Sequence, residues 1–211
     1  MLAHQINHLL TTGEKIMRQR GFTLVEIVVT VAVLAMILAV AAPNVASWMG
    51  NARIRNVADT LQNGLQIARG EAVRRNQNVS FWLVAPSNPS VLSNDCTLSS
   101  VSGSWVVSVN SPVGHCADEP STTSSPMIVT GRAVGDAGGS VSVAALQSDG
   151  TTAATTVTFD GFGRVANADS IRKIDVKGTK NSLDLRLVLS SAGLVRMCDP
   201  RVSDNTDPRK C

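Results

Sequence analysis

Residues Arg20–Pro43 read RGFTLVEIVVTVAVLAMILAVAAP, a basic flank followed by a long apolar run interrupted by one acid. From Phe22 to Ala42 only Thr23, Glu26 and Thr30 are polar. A helix over these 21 residues reaches roughly 32 Å at about 1.5 Å per residue, enough to cross the hydrocarbon core of a bilayer. One membrane-inserted helix is therefore expected. Lys15, Arg18 and Arg20 precede it, which predicts a cytoplasmic N-terminus and puts the bulk of the chain on the far side. An ordinary secretory signal has a shorter apolar core and a small-residue cleavage site after it. A plain anchor helix leaves Glu26 unexplained, because an acid in a bilayer helix is costly unless paired.

The hexapeptide Gly21-Phe22-Thr23-Leu24-Val25-Glu26 resembles the class III signal of type IV prepilins and type II secretion pseudopilins. That resemblance implies chemistry done to the chain. A membrane prepilin peptidase would cut after Gly21 and methylate the new N-terminus at Phe22, and removing 21 of the 211 residues leaves 190. It also assigns Glu26 to pairing with the N-terminal amine of a neighbouring subunit. The physics favours such a pair, since a carboxylate and an ammonium that are each costly in apolar surroundings attract more strongly as the dielectric falls. Pro43 stands where pilins commonly carry a proline, and a proline inside a helix removes a backbone bond and kinks it.

Beyond Pro43 the pattern stays helical. Ile54, Val57, Ala58, Leu61, Leu65, Ala68, Ala72 and Val73 recur at three- and four-residue steps, with Arg53, Arg55, Asp59, Gln62, Gln66, Arg69 and Arg74 between them. This predicts an amphipathic helix needing a sheet to cover its stripe, with Gly64 a weak point and an end at 76–78. Arg69–Arg75 reads as a charged, solvated face rather than a nucleic-acid patch.

From residue 79 onward short Val-, Thr- and Ser-rich runs separated by Gly, Pro, Asn and Asp predict strands. They fall at Val79–Val84, Ser104–Val109, Met127–Thr130, Ser140–Leu146, Thr155–Asp160, Ile171–Val176, Ser182–Leu189 and Leu194–Met197. Leu183, Leu185, Leu187 and Leu189 alternate with Asp184, Arg186 and Val188, so period two predicts all four leucines on one buried face. Ser148-Asp149-Gly150 and Asp160-Gly161-Phe162-Gly163 are turn signals, and the glycines at 131, 135, 138 and 139 also read as turns. The expected fold is α+β, a long N-terminal helix, half membrane-spanning and half amphipathic, packed on an antiparallel β-sandwich-like domain. Its parts are a leader at 1–21, the inserted helix at 22–43, the amphipathic helix at 44–78 and the β domain at 79–211. The element order, with FDGFGRV at 159–165 and GLVRMC at 193–198, resembles the GspH/FimT group of minor pilins, which includes FimU-like subunits.

Cys96, Cys116, Cys198 and Cys211 all lie in the part expected outside the cytoplasm, where disulfides are the default. Four cysteines allow three connectivities; the nearest-neighbour scheme pairs Cys96 with Cys116 and Cys198 with Cys211. No CxxC occurs, which argues against redox catalysis or a zinc knuckle. His115 is the only histidine after the leader, and beside Cys116 it reads as a disulfide-loop residue. Neither a catalytic set nor a phosphate loop is visible, so no enzyme activity, cofactor or metal is expected.

The net charge is +3, of which the leader carries +2 (Lys15, Arg18 and Arg20 against Glu14), leaving +1 on the rest. From Arg164 to Cys211 ten Lys and Arg face six Asp, a local +4. FimT-like relatives implicated in DNA uptake carry a C-terminal GRxR motif; here the matching residues are Gly193-Leu194-Val195-Arg196, without the first arginine. Arg196 with Arg201, Arg209 and Lys210 is the candidate DNA contact, although Asp199, Asp204 and Asp207 are interleaved and phosphate neutralisation sets such affinity. The resemblance favours a minor pilin near a fibre tip, with prepilin peptidase and other minor and major pilins as partners. It implies residence in the bacterial inner membrane with a periplasmic domain, then in a surface pilus. A DNA-uptake pilin and a type II secretion pseudopilin are the alternatives. Ser121–Ser125 reads as a solvated loop rather than an adhesive one.

Overall fold

The computed structural model describes residues 21–135, 140–178 and 183–211, without the side chains of 40–44 and 46. The leader at 1–20, the glycine turn at 136–139 and the start of the expected strand at Ser182 lie outside the described residues. The chain forms two compact units, Met1–Asn44 and Val45–Cys211.

Helix α1 (Leu24–Arg75) supplies the first unit and opens the second. Its first turn is closed by a capping box. Thr23 Oγ1 accepts the Glu26 backbone N–H at 3.2 Å, and a Glu26 carboxylate oxygen accepts the Thr23 N–H at 3.5 Å. Two N–H groups that a helix start leaves unpaired are thus satisfied locally. The helical assignment runs through Pro43, and the kink expected there concerns a side chain outside the described residues. At the other end Asn76 takes a left-handed φ of 49°. The N–H groups of Asn76 and Gln77 return to the carbonyls of Val73 and Ala72 at 3.3 and 3.2 Å, a Schellman stop.

In the second unit Ile54, Val57, Ala58, Leu61, Leu65, Ala68 and Ala72 form the buried stripe of α1. Val73, expected on that stripe, is 51% exposed, because a residue next to Ala72 stands about 100° round a helix of 3.6 residues per turn. One sheet contains β1 (Val79–Ala85), β2 (Thr97–Leu98), β3 (Ser104–Ser108), β4 (Ile128–Arg132) and β6 (Thr156–Phe159). The other runs β5 (Val141–Leu146), β7 (Lys173–Gly178), β8 (Asp184–Leu189), β9 (Val195–Cys198). All ladders between strands are antiparallel. On one edge of β1, β2 takes the C-terminal end and β6 the N-terminal end, while β3 covers the other edge.

One core joins the helix stripe to the inner faces of both sheets, with Val79, Phe81, Leu83, Trp105, Val107, Val157 and Phe159 from the first and Val143, Ile174, Val176, Leu187 and Leu189 from the second. Leu183 and Leu185 pack against it half-buried. On β7 and β8 Asp175 faces Arg186 in register, and two hydrogen bonds of 2.5 and 3.1 Å join them. A second, smaller core of Val84, Val106, Ile128 and the cystine sulfurs of Cys96 and Cys116 seals the outer face of the first sheet. This explains why β1 is buried almost throughout instead of alternating.

Gly64, expected to weaken α1, has a packing reason. A Cβ there would come 2.7 Å from Phe81 Cε2 and 2.9 Å from the Trp105 ring. Both rings are buried and packed on each other with centroids 5.7 Å apart, so neither can swing aside. The helix lies against the aromatic pair only because this position carries no side chain. Gly64→Ala gains about 1 kcal/mol of helix propensity and incurs overpacking of about 1–3 kcal/mol. Thermal unfolding of the variant is expected at a lower midpoint than wild type; an unchanged or higher midpoint would show that the seam has slack.

Candidate assembly site and C-terminal tail

Two groups of expected site residues fall in different units. In the first, Gly21, Phe22 and Glu26 stand at the start of α1. Gly21 has no positive φ, and a Cβ built on it meets nothing within 4 Å, so the described fold has no conformational or packing use for glycine there. Phe22 is 78% exposed. The large apolar side chains from Leu24 to Leu38, including Val25, Ile27, Val28 and Leu34, are exposed around the whole helix. A helix apolar all round belongs in a larger core or in lipid rather than in water.

No helix among the described residues is long and apolar enough to cross a membrane. The described apolar side chains run from Leu24 to Ala39, and about 16 residues at 1.5 Å reach only about 24 Å against a core of about 30 Å. The expected span includes 40–42, whose side chains lie outside the described residues.

The second group is the tail after β9. Cys198 and Cys211 form one disulfide and Cys96 and Cys116 the other. The Asp199 N–H donates to the Arg209 carbonyl at 2.7 Å, bringing the chain end back alongside Asp199. Of the candidate DNA-contacting residues, Arg201 is paired with Asp199 at 3.3 Å and Arg209 with Asp207 at 2.6 Å. Lys210 donates to the Ser203 carbonyl at 3.0 Å and to the Asn205 side chain. Arg196 is exposed on β9 and reaches the Cys211 carbonyl at 3.4 Å. The acids therefore do more than interleave with the bases; they hold two of the arginines within the tail.

Protonation follows from these contacts. The Arg209 side chain, then its backbone N–H, hold Asp207 down to about 2. Burial pushes the Asp199 carboxylate up, but the guanidinium and N–H of Arg201 outweigh it and leave it below the usual range. At the β6–β7 turn the Arg164 backbone N–H, with help from its side chain, lowers Asp160.

Sequence reasoning missed the contacts by which the helix holds these turns. Arg69 Nε donates to the Gly163 carbonyl at 3.0 Å. Gly163 and Gly193 adopt φ of 74° and 78°, and a Cβ on Gly193 would collide with the Gly163 carbonyl oxygen. The two loops thus meet backbone to backbone beside Arg69. The capping box was also missed, although Thr-x-x-Glu at 23–26 is its local signal, whereas a contact 94 residues away leaves none. His115 pairs with Asp118 at 2.8 Å on the surface, and its neighbour Cys116 is bonded to Cys96, so no thiol is available to it as a nucleophile. Among the described residues no three His, Cys, Asp or Glu side chains converge as a metal site.

Residues 57–193 match the family described as Type II transport protein GspH, and residues 16–42 match the prokaryotic N-terminal methylation motif. The chain belongs to the GspH family, whose members are minor pilins and pseudopilins, structural subunits of type IV pilus and type II secretion assemblies. The matched region runs from the buried stripe of α1 to the turn before β9, so the disulfide-closed tail lies beyond it. Two solved structures of the type IV minor pilin FimU from Pseudomonas aeruginosa are similar. One is 14% identical with a TM-score of 0.45, covering 72% of this chain and 92% of that one. The other, in a second crystal form, is 13% identical with a TM-score of 0.40, covering 72% and 97%. No curated protein matches the chain.

The tail makes two checkable statements. Cys211→Ser removes a closed loop of 13-residue separation, a constraint of about 3 kcal/mol in the chain-entropy model. Trypsin is then expected to cut at Arg201 and Arg209 well before it does in the oxidised wild type; equal rates would mean the ion pairs alone order the tail. Because folding lowers the carboxylate pKa values of Asp199 and Asp207, their pairs contribute above the ordinary carboxylate range and the contribution is lost as pH falls below it, for Asp207 toward about 2. Carboxyl-carbon NMR titration should place the Asp207 midpoint about two pH units below that of an unpaired aspartate, and an ordinary midpoint would refute the pairing.

Proposed function

We propose that this chain is a minor pilin of a type IV pilus, inserted by its N-terminal helix, cut after Gly21, methylated on Phe22 and incorporated near the fibre tip through contacts with other minor and major pilins. The observation that carries this reading is the exposed apolar helix of the first unit with one acid in its first turn. Such a surface is unfavourable in water, and lipid before assembly or neighbouring helices after it would cover it. The methylation motif at 16–42 supports processing by a prepilin peptidase, and a glycine for which the described fold has no use supports the cut at Gly21.

In this reading 1–21 is a leader left at the cytoplasmic face, 22–43 the inner-membrane and fibre-core helix, 44–78 its amphipathic continuation and 79–211 the periplasmic and later surface domain. Pro43 supplies a kink between the first two helical parts. Glu26 pairs with the Phe22 amine of a neighbour, giving up the Thr23 N–H that it accepts in the single chain. A type II secretion pseudopilin would use the same residues, and the genes beside this one would separate the two. The DNA-uptake reading is weaker, because two of its four basic residues are held by aspartates of the same tail, leaving fewer charges to neutralise phosphate.

Glu26→Ala is expected to leave the β domain folded and to reduce incorporation into sheared surface fibres at least tenfold; incorporation at the wild-type level would refute the pairing role. In a gel-shift salt series, the purified chain is expected to show little DNA retention, and tight, steeply salt-dependent retention would transfer the weight to DNA uptake.

A further inference from the structure

Where α1 ends, a cavity of about 360 Å³ opens between Arg75 and the Ser/Thr loop, lined also by Ser121, Thr122, Thr123, Ile128 and Val129. The size falls in the range of small ligand pockets, roughly 300–1,000 Å³. Its most telling member is Arg75, whose side chain is only 13% exposed.

The guanidinium is held from one side. Its Nε donates to Glu71 at 2.7 Å, while Arg74 binds both oxygens of the same carboxylate at 2.9 and 2.6 Å. The Arg74 bond lowers the Glu71 pKa despite partial burial, so the carboxylate stays charged and keeps both arginines in place. Glu71 thereby accepts three charge-assisted bonds. No acceptor among the described residues meets the two terminal nitrogens of Arg75, which leaves four N–H groups of a planar fork unused.

The facing loop is built rather than loose. Ser121 Oγ accepts the backbone N–H groups of Thr123 and Ser124 at 3.2 and 2.9 Å, and the Ser121 N–H donates to the Ile128 carbonyl at 2.9 Å. A hydroxyl accepting two bonds still has its own hydrogen to donate, and no acceptor for it is found among the described residues. Thr122 adds an exposed hydroxyl that makes no bond within the described chain. The polar groups of the cavity are therefore rich in unused donors, and the half-buried Val129 adds an apolar side chain to its lining, while the Ile128 side chain turns into the second core.

Charge decides the class of ligand. Two guanidinium groups against one carboxylate leave +1, and the helix C-terminus opposes this with about half a unit of negative charge, so the site remains positive. A guanidinium fork suits a carboxylate that it can bind through two parallel bonds. Val129 beside the fork suits a short methylene stem. A sugar acid fits less well, since no lining residue offers an aromatic face, a carboxamide or a carboxylate to its ring and hydroxyls.

We propose that this cavity binds the side-chain carboxylate of a glutamate in an acidic peptide segment of a partner, with Arg75 as the recognising group. The site is independent of the pilus reading, and its test reads nothing of fibre assembly. The full chain in detergent micelles is titrated with the peptide Ac-Gly-Glu-Gly-NH2, followed by amide NMR. Shifts are expected at Ser121, Thr122 and Thr123, with affinity at least tenfold above that of Ac-Gly-Gln-Gly-NH2. Arg75→Lys keeps the charge but not the fork and should weaken binding about tenfold. Thr122→Val, at a side chain with no bond inside the described chain, should weaken it severalfold and serves if the Lys variant fails to fold. Equal binding of the glutamine peptide, wild-type affinity in the folded variants, or tighter binding of galacturonate than of the glutamate peptide would each overturn the assignment.

Discussion

The β-bearing unit depends on one close approach, the backbone of α1 at Gly64 against the rings of Phe81 and Trp105. Because that position has no side chain, the helix sits low enough on the first sheet for Ile54, Leu61 and Leu65 to enter the same core as Phe159 and Val157. The second sheet closes over what remains of the stripe with Ile174, Val176 and Leu187. Raising the helix by the width of a methyl group would open voids along this seam, and interiors at crystal-like density tolerate few of them.

Close backbone contacts extend that seam to the loops. Gly161 abuts Asn76 at the helix stop, and Gly163 lies against both Arg69 and Gly193. These turns fix where β6 and β8 reverse, and so fix where β9 delivers the tail. The tail is too polar to fold by burial, and it is held instead by a disulfide to the end of β9 and by aspartate–arginine pairs two residues apart. Exposed pairs of this kind are individually weak, which puts the main constraint on the covalent link.

Much of the architecture was legible because it rests on local periodicity. The three- and four-residue steps of α1 located its buried stripe, and eight of the nine strands fell within a few residues of their observed bounds. β2 was missed because two residues, Thr97 and Leu98, carry no period. Val73 was placed on the wrong side because an apolar residue beside the stripe looks the same in sequence as one within it. Gly64 was misread for a related reason: propensity sees a glycine in a helix, whereas its cause is a ring brought close by tertiary folding. Of the site residues, Gly21, Phe22 and Glu26 were conspicuous as an acid and a small residue beside an apolar run. The pairing of Arg201 and Arg209 by their own aspartates was not, since a run of mixed charge gives no sign of which groups meet.

The surfaces that remain divide by chemistry. The first unit offers apolar side chains and one capped carboxylate, suited to lipid or to other helices, while the end of α1 offers an oriented guanidinium beside a hydroxylated loop. The proposed processing at the head of the apolar helix would link the first of these to assembly, and it is tested most directly by the mass and N-terminal sequence of the chain purified from membranes and sheared fibres of its native host. The expected product begins at N-methylated Phe22 and contains 190 of the 211 residues. A product that still carries residues before Phe22, or one cut near Ala42 that has lost the apolar helix, would contradict it.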